Sequence, residues 1–121
     1  RYPMEISRDN PTLKLVRLIA STSSRRGVRV LFYITPIHVQ QMRTTKNFDA
    51  AAFHRSLALV MEQGSIGTTR CVNLVDLLDE SDFADGAEHY KEEGQRKLAL
   101  ALLPQVGEIL LESQWPNPEG Q

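Results

Sequence analysis

One run constrains the fold more than any other part of the sequence: residues 28–34, which read VRVLFYI. The run is short, rich in β-branched and aromatic residues, and almost continuously apolar. Strands that are covered on both faces in parallel α/β sheets have this composition. Thr35 and Pro36 follow it, and proline cannot continue a central ladder. We therefore predict an interior parallel strand that ends at Ile34 and requires a neighbour on each side.

Helical signals flank this strand. Asn10 and Pro11 are typical of a helix start, and Gly27 is typical of a helix end. Apolar residues at helical spacing predict further helices over residues 49–63 and 91–112, the latter kinked at Pro104. A second strand is predicted over residues 71–76, between those two helices, and a loop is predicted from Ile37 onward. Alternating helices and strands predict an α/β fold with a parallel sheet, of the three-layer flavodoxin-like kind.

Length and composition limit the classes of protein that fit. A chain of 121 residues predicts one α/β domain, or the C-terminal part of one, over residues 1–112, followed by a tail over 113–121. The net charge of -1 argues against a nucleic-acid partner. No apolar run is long enough to cross a membrane. We expect no cofactor, because no glycine-rich phosphate loop follows either strand, and no metal, because no histidine or cysteine pair has ligand spacing.

We expect the functional site where the two strands end, because ligands of open parallel sheets bind at the carboxyl edge. His38 follows the first strand, and an acidic loop ending at His89 follows the second. A histidine with carboxylates upstream can act as a general base whose tautomer one of the acids fixes. The alternative interpretations are a capping histidine at position 89, a solvated acidic loop and a surface role for His38.

The sequence FADGAEHYKEEGQRKLA at residues 83–99 resembles the C-terminal signature of SGNH hydrolases, also called GDSL-like esterases. The resemblance extends over about residues 13–111 and implies a serine ester hydrolase or O-acyl transferase, with a small-molecule or carbohydrate O-acetyl ester as substrate. It also implies that His89 is the catalytic base and Asp85 the acid that orients it. The family spacing is one residue shorter than the one here, so Asp82 or Glu88 could replace Asp85. We expect His38 and Asp82 to contact substrate.

The chain contains neither a Gly-Asp-Ser nucleophile segment nor the Gly-x-Asn-Asp segment of the family. The serine nucleophile and the missing neighbours of the first strand are therefore expected in an absent N-terminal portion of the domain. Another chain could supply them instead. The alternative function is a non-catalytic α/β binding module, or a fragment that another chain completes.

Overall fold

The computed structural model describes residues 5–44, 48–84 and 89–114, and it shows a mixed α/β fold. Its elements, in chain order, are α1 (Pro11–Arg25), β1 (Leu31–Ile34), α2 (Val39–Arg43), α3 (Ala50–Gln63), β2 (Arg70–Asn73) and α4 (Glu92–Gln114). A single turn of 3-10 helix, Glu80–Asp82, lies between β2 and α4.

Side-chain caps start the first and third helices. The Asn10 carboxamide oxygen accepts hydrogen bonds from the backbone N–H groups of Thr12 and Leu13, and the Asp49 carboxylate accepts one from Ala52. These bonds satisfy N–H groups that have no partner within the helix. Just beyond the end of α1, Gly27 adopts a φ of 70°, a backbone conformation that glycine tolerates best. The helix boundaries predicted at these positions are confirmed.

The described part of the sheet consists of β1 and β2, which pair in parallel with Leu31 opposite Arg70 and Ile34 opposite Asn73. Successive side chains of β2 point to opposite faces. Cys71 faces α3, where a Cβ on Gly64 would lie 2.9 Å from the Cys71 Cβ. Arg70 faces the other way and forms an ion pair with Glu108 of α4. The parallel pairing expected from the sequence is therefore confirmed.

The main apolar cluster lies at the carboxyl ends of the strands. Met42, Phe53 and Val75 are buried in it. Partly buried apolar residues surround them: Ile34, Ile37, Val39, Phe48 and Leu57. Helix α2 contributes Met42 and α3 contributes Phe53, so this cluster fixes the segment after β1 against the rest of the fold.

Several boundaries differ from the sequence-based prediction. Residues 28–30 and 74–76 lie outside the strands, because the ladder extends only from Leu31–Ile34 to Arg70–Asn73. The loop predicted after Ile37 contains α2, which is too short for helical periodicity to reveal. Helix α4 includes Pro104, as predicted, but it reaches Gln114, two residues into the predicted tail.

Candidate functional site at the carboxyl edge of the sheet

Backbone hydrogen bonds hold the segments that follow β1 and β2 together. The N–H of Leu74 donates to the carbonyl of Ile34, and the N–H of Ile37 donates to the carbonyl of Val75. Pro36, between them, is fully buried. The two chain segments therefore leave the sheet side by side, and the side chains that follow them are close neighbours.

A short antiparallel contact brings the histidine-bearing loop to this edge. Phe83 and Tyr90 form a β-bridge, and the N–H of Ala84 donates to the carbonyl of His89 over 2.7 Å. The Tyr90 hydroxyl then donates to the carbonyl of Pro36, also over 2.7 Å. We call these four residues, Phe83, Ala84, His89 and Tyr90, the clasp. The clasp fixes the backbone of His89 beside the carboxyl end of β1.

Aromatic rings connect the clasp to the end of β1. The imidazole of His38 stacks on the Phe83 ring with a centroid distance of 4.8 Å and an interplanar angle of 8°. The Phe83 ring also meets the Tyr90 ring edge-on at 5.7 Å. Phe83 is only 6% exposed, so this ring is the packed centre of the arrangement. His38 Nε2 is buried without a hydrogen-bond partner among the described residues.

A cavity of about 430 Å³ opens beside the stacked rings. Its lining combines the two rings with amide, hydroxyl and carboxylate side chains. The lining residues are His38, Gln40, Gln41, Thr44, Glu80, Phe83 and Ala84. Small-molecule sites are usually lined mainly by apolar side chains, and most of the side chains here are polar, so the lining by itself does not identify a ligand. Of the two residues predicted to contact substrate, His38 lines this cavity and Asp82 does not.

Asp82 lies next to the clasp and is almost completely buried. One of its oxygens, Oδ2, accepts hydrogen bonds from Lys97 Nζ and from the backbone N–H of Asp79, each over 2.8 Å. The Lys97 ammonium and then the Asp79 N–H hold the pKa of Asp82 below its usual value. The carboxylate in turn raises the pKa of Lys97. This ion pair joins the 3-10 turn to α4 and fixes the chain just before Phe83.

The residues predicted to form the site differ in their exposure and in their contacts. His89 is exposed, its carbonyl accepts from Ala84 near the carboxyl edge, and it is not among the residues that line the cavity, so its role as general base stays a prediction. His38 reaches the same edge and lines the cavity, whereas Asp82 is committed to Lys97. Asp85 and Glu88 lie outside the described residues, so the acid that would partner His89 is still a prediction.

Sequence reasoning did not identify Tyr90 or Lys97. The hydrogen bond from Tyr90 to Pro36 spans 54 positions, and the one from Lys97 to Asp82 spans 15. Neither spacing corresponds to a local motif. The sequence contains only weak indications of these two residues. Tyr90 directly follows the candidate histidine, and Lys97 lies one helical turn beyond Glu93 in the next helix.

Comparison with protein-family models, with curated proteins and with solved structures gives no match for this chain. The resemblance to SGNH hydrolases therefore depends on the residues quoted above. Within residues 5–44, 48–84 and 89–114, no group of three histidine, cysteine or carboxylate side chains is arranged to hold a metal ion. None of the described helices combines the length and apolar character needed to cross a bilayer.

Proposed function

We propose that this chain carries the acid–base half of an SGNH-like ester hydrolase or O-acyl transferase, with His89 as general base. The observation that carries the proposal is the clasp. Its Phe83–Tyr90 bridge and the bond from Tyr90 to Pro36 hold the backbone of His89, an exposed residue, near the carboxyl edge of the parallel strand pair, and two of its members, Phe83 and Ala84, line a cavity there. Ligands of open parallel sheets bind at this edge. In the proposed arrangement the sheet is of the three-layer flavodoxin-like kind.

The proposed reaction proceeds through an acyl-enzyme. A serine supplied by a polypeptide segment outside this chain attacks the acyl carbonyl carbon, and His89 accepts the serine proton. The imidazolium then gives that proton to the departing alcohol as the ester bond breaks. Water, deprotonated by His89, releases the acid, or an acceptor alcohol takes the acyl group. Asp85 orients His89, and the substrate, a small-molecule or carbohydrate ester, lies in the cavity beside His38.

The test measures hydrolysis of p-nitrophenyl acetate by the natural polypeptide that contains this sequence. General-base catalysis typically accelerates a reaction about 10²–10⁴-fold, so His89→Ala is expected to lower kcat by a factor in that range. His54→Ala is the matched control, because His54 is also exposed but lies in α3. It is expected to leave kcat unchanged. Equal rates before and after His89→Ala would remove His89 from the mechanism.

A second candidate function is a binding module without catalysis. The exposed apolar side chains of α1 favour it: Leu15 is 55% and Leu18 is 58% exposed. Contiguous exposed apolar surface commonly marks an interaction site. A wild-type hydrolysis rate no higher than that of His89→Ala would favour this function over the enzyme.

A further inference from the structure

Tyr90 is anchored to three separate parts of the fold. Its hydroxyl donates to the carbonyl of Pro36, a fully buried residue, over 2.7 Å. Its ring meets the Phe83 ring edge-on, with a centroid distance of 5.7 Å. Its Cβ lies 3.2 Å from the position that a Cβ on Gly94 would take, so the backbone of α4 approaches it closely. The side chain is therefore fixed to the end of β1, to the segment after β2 and to the start of α4.

The backbone of the clasp forms a short antiparallel pair. The N–H of Ala84 donates to the carbonyl of His89, and the N–H of Lys91 donates to the carbonyl of Asp82, each over 2.7 Å. These two bonds flank the β-bridge of the clasp on either side. The pairing makes Ala84 and His89 cross-strand neighbours, whose Cβ atoms are about 5 Å apart in such pairs.

The two faces of this antiparallel pair have different surroundings. Successive side chains of extended, paired chain point to opposite faces. The rings of Phe83 and Tyr90 lie on the inner face, towards His38 and Pro36. Ala84 and His89 consequently share the outer face, where both are exposed, and Ala84 lines the cavity of about 430 Å³. A displacement of Tyr90 is therefore transmitted through one peptide unit to the neighbouring histidine.

We propose that Tyr90 is a positioning residue: its hydroxyl, bonded to Pro36, sets the place from which His89 accepts the proton. This inference rests on the proposed function, in which His89 is the general base. A general base must lie within about 3 Å of the atom whose proton it takes, and a displacement of about 1 Å can lower a rate by about 10²-fold. Tyr90 touches no reacting atom, so it acts only through the histidine that precedes it.

The hydroxyl matters because its acceptor is buried. Pro36 is shielded from solvent, so its carbonyl loses a partner inside the fold when the hydroxyl is removed. Tyr90→Phe makes this change and keeps the aromatic contact with Phe83. We expect the ring to shift as the bond to Pro36 is lost, and the backbone of His89 to shift with it.

The assay is hydrolysis of p-nitrophenyl acetate by the natural polypeptide that contains this sequence. Tyr90→Phe is expected to lower kcat by about 10- to 100-fold at a nearly unchanged KM, because the misplaced base affects the transition state and not the bound substrate. Tyr33→Phe is the matched control, since it removes the hydroxyl of a tyrosine that is 41% exposed in β1. It should leave both kcat and KM unchanged.

A double-mutant cycle separates positioning from a general structural role. If Tyr90 acts through His89, Tyr90→Phe lowers kcat in the wild-type background but has no further effect in His89→Ala. A structural defect of the whole site would lower the rate in both backgrounds equally. Circular dichroism at the assay temperature establishes that each variant is folded.

The possible results distinguish this inference from the proposed function. If His89→Ala lowers kcat and Tyr90→Phe does not, the positioning role is wrong and the proposed function stands. An equal loss from Tyr90→Phe in both backgrounds would also overturn the positioning role. An unchanged kcat in His89→Ala would overturn the proposed function, and this inference with it.

Discussion

Gly94 and Gly107 belong to the same helix, α4, but an added methyl group would meet very different surroundings at the two positions. A Cβ on Gly94 would lie 2.9 Å from the backbone oxygen of Asp82 and 3.2 Å from the Cβ of Tyr90. A Cβ on Gly107 would have no neighbouring atom within 4 Å. The same substitution, glycine to alanine, therefore tests whether the start of α4 is packed as tightly against the clasp as the structure shows.

The two substitutions are expected to change the free energy of unfolding in opposite directions. Replacing glycine by alanine inside a helix typically gains about 0.5–1 kcal/mol, which is the full expectation for Gly107→Ala. At Gly94 the same gain is opposed by overpacking, which typically costs about 1–3 kcal/mol. The contact there involves backbone, which cannot rotate away. Gly94→Ala is therefore expected to destabilise the fold by about 1 kcal/mol, so the two variants should differ by about 2 kcal/mol.

Urea unfolding followed by circular dichroism measures both variants. With an m-value of about 1–3 kcal/mol/M, the midpoints should lie on opposite sides of the wild-type midpoint and about 1 M apart. Thermal unfolding should separate the two variants by about 8 °C, because 1 kcal/mol shifts Tm by about 4 °C in a domain of this size. Stabilisation by Gly94→Ala equal to that by Gly107→Ala would refute the packing argument.

Two further predictions concern the residues around the clasp. The pKa of Asp82 is lowered in the folded state, so its ion pair stabilises the fold above the unfolded aspartate pKa of about 3.9 and ceases to do so as the pH falls through the folded pKa. Asp82→Asn should therefore lower the urea midpoint at pH 7 and flatten its acid dependence below the unfolded aspartate pKa of about 3.9. Parallel pH curves for the two proteins would contradict this assignment. Phe83→Ala removes the ring between His38 and Tyr90 and should lower the free energy of unfolding by about 3–5 kcal/mol, with a smaller loss for Phe83→Leu. A loss below about 1 kcal/mol would mean that the ring is not packed as described.

Local chemistry explains which parts of the fold the sequence predicted well. Asn10 and Asp49 act on N–H groups two or three residues away, so their role is visible in a short stretch of sequence. The existence of β1 can likewise be predicted from its apolar run. Its first three residues lie outside the ladder, however, because the extent of a strand depends on its partner, and pairing begins opposite Arg70.

The candidate site was predictable only in outline. The meeting of the two strand ends follows from parallel topology, which the sequence indicates, whereas the catalytic role of His89 stays a prediction. The bond from Tyr90 to Pro36 and the stacking of His38 on Phe83 depend on where distant segments meet, and no local pattern encodes that meeting. The burial of Asp82 is a further example, since its partner Lys97 lies on the next helix.

The long sequence separation of the clasp has a consequence for folding kinetics. Tyr90 bonds to Pro36 across 54 positions, whereas the caps of α1 and α3 close over two or three. Contacts of high sequence separation form slowly, because chain entropy is lost on closing the loop before the contact stabilises the fold. We expect the helices to form early and the clasp to join the strand ends near the end of folding. Amide hydrogen exchange should then show Ala84 opening more readily than the centre of α3.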